Sequence, residues 1–193
     1  MGGNTFGMLQ ALAKIIFRIS GWKTVGEVPD LKKAVFIAAP HTSNWDGFWL
    51  LVYKVAINVE VRFLGKDTLF WWPLGAILKS FGAMPIDRSH AGNIVPQLID
   101  AFEKEEHLFL ALSPEGTRKW VPYWKTGFFR IAEAANVPIV LAFIDYKEKQ
   151  IGIGPTIPAG QALNETLATI REFYSPFIGR RPEKQGPIEF PPA

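Results

Sequence analysis

The chain has 193 residues, of which 48% are hydrophobic and 20% charged, which is enough apolar material for the core of one domain. Lysine and arginine number 21 against 18 acidic residues, and the resulting net charge of +3 excludes the strongly basic surface of a nucleic-acid-binding protein. There is no cysteine, which excludes disulfides, cysteine-bound zinc and a cysteine acyl-enzyme, and the three histidines lack the spacing of metal ligands.

The first predicted element is a helix over residues 5–19. Gln10, Lys14 and Arg18 recur every four residues and form a narrow polar stripe, whereas the other faces of this helix are apolar. At about 15 residues the helix is short for a bilayer span. Two interpretations stay open: an amphipathic helix that lies on a membrane surface, and a helix that packs on the core.

A histidine and an aspartate stand at the next predicted junction. The apolar run 34–39 has the length of a buried strand, and 45–57 is long and apolar enough for a helix. His41 therefore falls on the turn between them and Asp46 in the first turn of the helix, where the two side chains can meet. A carboxylate on one ring nitrogen leaves the other free to take a proton from a hydroxyl, which is acyl-transfer or hydrolytic chemistry. The alternative is a capping box, in which Ser43 and Asp46 start the helix and His41 is an ordinary turn residue.

Strands and helices alternate through the middle of the chain, which predicts an α/β fold with helices flanking one central sheet. The predicted strands are 35–39, 61–64, 108–112, 139–144 and 150–153, and the predicted helices are 45–57, 68–81, 94–105, 126–135 and 161–174. We divide the chain into an N-terminal amphipathic segment, residues 1–22, a main domain, residues 23–180, and a proline-rich tail, residues 181–193.

Two later turns carry arginines. One apolar stretch ends at Arg88, and Arg118 follows the predicted strand 108–112 by a short turn. A guanidinium pairs a phosphate through two parallel hydrogen bonds, so arginines on separate turns could clamp a phosphomonoester, and Gly116 lets backbone N–H groups approach an anion. The alternative is that Pro114-Glu115-Gly116 is a plain type I turn and that both arginines are solvated.

Four blocks taken in order resemble the glycerolipid acyltransferases, the lysophosphatidate (1-acylglycerol-3-phosphate) acyltransferase family. They are the His41–Asp46 block, the stretch ending in Arg88, the Glu115–Arg118 turn and Val137–Val140, and together they span roughly residues 35–144. The resemblance implies a single acyltransferase-like domain with a mixed central sheet. It implies that His41 is the general base and Asp46 its charge partner. The implied substrate-binding residues are Arg88, Glu115, Gly116, Thr117 and Arg118.

The resemblance also implies the substrates and the place of action. The donor would be acyl-CoA or an acylated acyl carrier protein, a substrate rather than a cofactor, and no metal is implied. The acceptor would be the hydroxyl of a lysophospholipid, 1-acylglycerol-3-phosphate in particular, in phospholipid biosynthesis. We expect a peripheral protein on the cytoplasmic face of a membrane and no nucleic-acid partner. The alternatives are another lysolipid or an amino-acid-derived lipid as acceptor, or a lipid-binding protein without turnover.

Overall fold

One mixed β-sheet forms the centre of the molecule. The computed structural model describes residues 3–86 and 94–191. The described strands are β1 (Lys23–Val25), β2 (Lys33–Ala39), β3 (Val61–Lys66), β4 (Ala83–Ile86), β5 (Leu108–Leu112), β6 (Ile139–Asp145) and β7 (Gln150–Ile157). The described helices are α1 (Gly3–Ser20), α2 (Asn44–Ala56), α3 (Leu74–Ser80), α4 (Ile94–Lys104), α5 (Gly127–Ala134) and α6 (Leu163–Tyr174). The predicted α/β class with a mixed central sheet is confirmed.

The strand order across the sheet is β1-β7-β6-β2-β5-β3-β4. Strands β4, β3, β5, β2 and β6 run parallel to one another, β7 runs antiparallel to β6, and β1 runs parallel to β7. The carboxyl ends of the five parallel strands therefore lie at one edge of the sheet, which we call the carboxyl edge. Open α/β sheets bind their ligands at this edge.

Strand β2 shows how helices cover both faces of the sheet. Its side chains Val35 and Ile37 belong to the core cluster that includes residues of α4, α5 and α6, whereas Ala34 and Phe36 belong to the cluster that includes residues of α1 and α2. Successive strand residues point to opposite faces, so a strand buried on both faces reads as an uninterrupted apolar run. This is why β2 was recognisable in the sequence.

Most predicted elements fit the structure, but the helix predicted over residues 68–81 is wrong in its first half. That part of the chain forms a 3₁₀ turn, Asp67–Leu69, and α3 covers only Leu74–Ser80. Pro73 immediately precedes α3, and a proline lacks the N–H group that a helix interior requires. Strands β1 and β4 were not predicted, since they have only three and four residues and lie at the two edges of the sheet.

Helix α1 has one packed face and one exposed apolar face. Ala13 and Phe17 are buried against α2, with the Phe17 ring centroid 5.7 Å from that of Trp49. On the opposite face Met8, Leu12, Ile15 and Ile19 are between 52% and 78% exposed. Their spacing of four, three and four residues places them in one stripe along the helix. Among the residues described, no helix combines the length and the apolar character needed to cross a bilayer.

The C-terminal segment, residues 181–191, is irregular apart from a 3₁₀ turn at Pro182–Lys184, as expected of a proline-rich stretch. It is nevertheless packed onto the domain rather than extended away from it. Phe190 is buried beside Trp124, and the backbone N–H of Trp124 donates to the carbonyl of Glu189 at 2.7 Å. The backbone N–H of Arg181 donates to the Thr42 hydroxyl at 3.2 Å, so this segment reaches the turn after β2.

Candidate active site

His41 and Asp46 meet at the carboxyl edge, in the turn that joins β2 to α2. Nδ1 of His41 lies 3.2 Å from Oδ2 of Asp46, with the ring N–H not aligned for a hydrogen bond. The contact is therefore electrostatic in this state, and hydrogen bonds of catalytic pairs often straighten only when the substrate binds. The structure thus brings together the two residues whose meeting the sequence spacing predicted.

The carboxylate of Asp46 is completely buried and accepts hydrogen bonds on both oxygens. Oδ2 accepts the backbone N–H groups of Thr42 and Ser43, each at 2.7 Å, and Oδ1 accepts the hydroxyl of Tyr146 at 2.8 Å. Burial alone would raise the pKa of Asp46, but its contacts with His41, the Ser43 N–H and Tyr146 outweigh burial and hold that pKa below its ordinary value of 3.8. Asp46 is therefore an anion at neutral pH.

The capping box of the alternative interpretation is also present. The hydroxyl of Ser43 accepts the backbone N–H of Trp45 at 3.3 Å, and Ser43 and Asp46 form a reciprocal capping box at the start of α2. The capping box is therefore compatible with the His41–Asp46 contact, because Oδ2 of Asp46 serves the helix cap and faces the imidazole at the same time.

Glu115 supports the other side of the histidine. Oε1 accepts the backbone N–H of His41 at 2.8 Å, and Oε2 accepts the hydroxyl of Ser113 at 2.7 Å. Burial raises the pKa of Glu115, and the hydrogen bonds from Ser113 and His41 reduce this effect without cancelling it. The structure thus gives Glu115 two protein partners that tie the turn after β5 to the turn after β2. Substrate contact by Glu115 stays a prediction.

The predicted turn at residues 113–116 is present. The N–H of Gly116 donates to the carbonyl of Ser113 at 3.1 Å, so this group closes the turn. Gly116 has a φ of 66°, and a Cβ there would lie 3.0 Å from atoms of the Lys125 side chain, so both backbone conformation and space favour glycine. The hydroxyl of Thr117 accepts the N–H of Lys119 at 3.3 Å, and Arg118 is exposed.

Arg88 lies outside the described residues, and the two-arginine clamp stays a prediction. The structure adds a different arginine near the pair. The guanidinium carbon of Arg180 lies 5.2 Å from the ring centroid of Trp45 and 5.9 Å from that of Tyr146. In the sequence this arginine belongs to a Gly-Arg-Arg stretch typical of a solvated tail, and nothing local connects it or Tyr146 to His41.

An apolar cavity of about 160 Å³ adjoins the Ser113–Glu115 turn. Ser113 and Pro114 form part of its wall, and Lys125 lines it as well. The rest of the lining is Leu64, Ile94, Val95, Leu98, Leu112, Gly127, Phe128 and Ile131. Ser113 donates to Glu115, and Glu115 accepts the main-chain N–H of His41, so two hydrogen bonds connect the wall of this cavity to the backbone of His41.

A larger cavity of about 340 Å³ lies at the opposite edge of the sheet, where β6 begins. Val137 and Ile139, from the fourth block of the resemblance, line it, and it contains none of the predicted site residues. Val140 and Leu141 are completely buried in the central sheet. The fourth block therefore lies at the end of β6 away from His41, and its role as part of the acyl pocket or of its structural wall stays a prediction.

Comparisons with known proteins agree with the sequence blocks. A family model described as Acyltransferase matches residues 19–144. The 1-acyl-sn-glycerol-3-phosphate acyltransferase of Escherichia coli (strain K12) is 28% identical over 128 residues, which is 62% of this chain and 50% of that protein. The chain thus spans half the length of this curated relative. The crystal structure of the 1-acyl-sn-glycerophosphate (LPA) acyltransferase PlsC from Thermotoga maritima has the same fold, with a TM-score of 0.61 over 87% of this chain and 75% of that chain at 17% identity.

The raised pKa of Glu115 predicts that this residue lowers the free energy of unfolding as the pH rises. As the pH rises past its ordinary pKa of 4.5, the unfolded chain releases the Glu115 proton while the folded protein still holds it. The free energy of unfolding then falls with pH until the raised pKa is passed. Glu115→Gln removes this contribution, so its stability relative to the wild type should increase between about pH 4 and about pH 8 in urea titrations.

The exposed Glu133 on α5 provides the control, because Glu133→Gln removes a carboxylate without changing a buried one. A difference between Glu115→Gln and the wild type that stays constant over this pH range would contradict the raised pKa.

Proposed function

The chain belongs to the acyltransferase family, and on that premise we propose that it moves a fatty acyl group from acyl-CoA or acyl carrier protein to the hydroxyl of a lysophospholipid, 1-acylglycerol-3-phosphate being the first candidate. The observation that carries the proposal is the contact of His41 Nδ1 with the buried carboxylate of Asp46. A fixed anion beside Nδ1 favours the tautomer with its proton on that nitrogen, and Nε2 is then a base.

The proposed reaction needs no covalent enzyme intermediate. Nε2 of His41 takes the proton of the acceptor hydroxyl while the oxygen attacks the thioester carbonyl carbon. The new C–O bond forms, the C–S bond breaks, and the departing thiolate takes the proton back from the imidazolium. Asp46 stabilises the imidazolium between these two transfers, because it is an anion already held in place by other donors.

The apolar cavity beside Ser113 is the proposed binding site for the acyl chain. Its lining is aliphatic and aromatic except for Ser113 and Lys125. An acyl chain in this cavity would place the thioester carbon near the turn that Glu115 bonds to His41. The side chain of Lys125 packs over Gly116, at the turn that carries Glu115. Its ammonium group could there bind a negatively charged acyl donor.

Replacing the base tests the mechanism. His41→Ala should lower turnover by about 10²- to 10⁴-fold, which is the usual contribution of a general base. Asp46→Asn should cost less than His41→Ala, because the imidazole remains. Thiol release from acyl-CoA, with and without lysophosphatidate, measures both the transfer and any hydrolysis.

His107→Ala is the matched control, because this histidine is 68% exposed and belongs to no contact of the site. Near-normal turnover by folded His41→Ala would overturn the mechanism, and thiol release that needs no acceptor would indicate a thioesterase instead.

We assign the acceptor's phosphate to the arginines of the predicted clamp. Arg118 is exposed beside the turn that holds Glu115, and a phosphomonoester there would meet a permanent cation. Arg88, in the second block, is assigned the same role on the resemblance alone. The acyl donor would make no contact with Arg118, so the two substrates can be distinguished by mutation.

Arg118→Ala should therefore raise the KM for lysophosphatidate about 10- to 100-fold, as expected for the loss of charge-assisted hydrogen bonds worth about 1.5–3 kcal/mol. The KM for the acyl donor should not change. Arg130→Ala, which removes an exposed arginine of α5, is the control. Equal use of monoacylglycerol and lysophosphatidate by the wild type would contradict the phosphate assignment.

The location of the protein is proposed from α1. Its exposed stripe is apolar, and Lys14 and Arg18 are exposed along one side of that stripe. A helix with this pattern can lie in the head-group region of an anionic membrane while its other face stays on the domain. We therefore propose a peripheral membrane protein with the apolar stripe of α1 as the contact, and we assign it to the cytoplasmic face on the resemblance alone.

The double variant Leu12→Ser/Ile15→Ser should abolish co-sedimentation with vesicles that contain anionic phosphatidylglycerol. Both side chains are exposed, so the free energy of unfolding should change little. Salt should weaken the binding of the wild type, because Lys14 and Arg18 contribute by charge. The exposed Leu163 on α6 gives the control variant Leu163→Ser. Unchanged sedimentation of the double variant would exclude this stripe as the contact.

A further inference from the structure

We infer that Tyr146 is a positioning residue of the active site, which holds Asp46 in the orientation that the imidazole needs. The inference rests on the acyltransferase function proposed above. Tyr146 lies two residues beyond the matched family region, residues 19–144, and 100 residues from its partner Asp46. No sequence block and no comparison assigns it a role.

The hydrogen bonds of Asp46 are divided unequally between its two oxygens. Oδ2 has three neighbours, the N–H groups of Thr42 and Ser43 and the imidazole of His41. Among the described residues Oδ1 has a single hydrogen-bond donor, the hydroxyl of Tyr146 at 2.8 Å. The terminal torsion of an aspartate is broad, and turning about it moves both oxygens together, so a donor on either oxygen restrains the carboxylate plane. The bond to Oδ1 adds a restraint from the other oxygen, and so helps to fix the direction in which Oδ2 faces Nδ1.

Tyr146 is itself held on several sides. Its ring packs edge-on against Trp22 with the centroids 5.0 Å apart, and the guanidinium of Arg180 lies 5.9 Å from the ring centroid. Its backbone N–H donates to the carbonyl of Ile178 at 2.9 Å. The phenol is therefore a fixed donor at the end of β6, and the C-terminal part of the chain contributes to holding it.

The phenol also keeps its proton throughout the working range of pH. Burial raises the pKa of Tyr146, and the bond to the anion of Asp46 raises it further. A neutral phenol can only donate to Oδ1, so the direction of this hydrogen bond does not vary. The restraint that this bond places on Asp46 is then the same over the range of pH in which a histidine acts as a base.

The expected effect of losing this bond is confined to the chemical step. Tyr146→Phe keeps the ring and removes only the hydroxyl, while the two backbone bonds to Oδ2 remain. We expect kcat to fall by about tenfold, the factor that corresponds to about 1.4 kcal/mol of transition-state stabilisation. The KM values for donor and acceptor should stay the same, since Tyr146 contacts neither in this proposal.

Nuclear magnetic resonance of ¹⁵N-labelled histidine gives a readout that does not require turnover. In the wild type His41 should show the chemical shifts of a single tautomer with the proton on Nδ1, assigned by comparison with His41→Ala. In Tyr146→Phe the shifts should move toward a mixture of the two tautomers. Tyr53→Phe is the matched control, because Tyr53 is buried in the same aromatic cluster and none of the described hydrogen bonds of Asp46 involves it.

The two measurements separate the possible failures. An unchanged kcat and an unchanged tautomer in folded Tyr146→Phe would overturn the positioning role. A wild type that releases no thiol from acyl-CoA with any lysolipid would refute the proposed function, while the tautomer measurement would still decide the role of Tyr146. If Tyr146→Phe does not fold, Tyr146→Met fills the space with a flexible side chain that has no donor, and the same loss in kcat and change in tautomer are expected.

Discussion

The candidate active site depends on one constraint, the presence of a carboxylate with no solvent exposure at Asp46. A buried ion is costly by several kcal/mol unless donors replace its hydration. Here the donors come from two distant parts of the chain, the turn after β2 and the residue after β6. Those parts are neighbours because β2 and β6 pair in parallel, with Ala39 opposite Phe143. The central sheet therefore stabilises the buried charge of Asp46, because it places the Tyr146 hydroxyl beside the carboxylate.

Glu115 is a second buried carboxylate at the same edge, and its pKa moves in the opposite direction. Asp46 is surrounded by donors that outweigh its burial, whereas burial prevails at Glu115. Environments that separate the pKa values of two acids are a common device for giving them different roles. The geometry gives Asp46 the imidazole of His41 and gives Glu115 the backbone of the same residue. His41 thus contacts one buried carboxylate through its ring and donates a hydrogen bond to the other through its main-chain N–H.

The sequence was informative wherever a local pattern determined the structure. Strand β5 begins and ends where its apolar run does, and the spacing of His41 and Asp46 predicted their contact correctly. Prediction failed where a single proline or a residue distant in the sequence determined the structure. Pro73 shortened a predicted helix, and Tyr146 reaches Asp46 across 100 residues with no local signal. Such a contact follows from strand order, which periodicity does not specify.

The capping box has a consequence for how this site responds to heat. Helix ends fray more readily than helix centres, and local opening of a terminal turn needs far less free energy than global unfolding. Because the first turn of α2 carries the anion that faces the imidazole, unwinding of this one turn would separate the pair while the sheet stayed intact. Loss of the contact between His41 and Asp46 would then be a local event at residues 43–46, which a probe of the sheet would not detect.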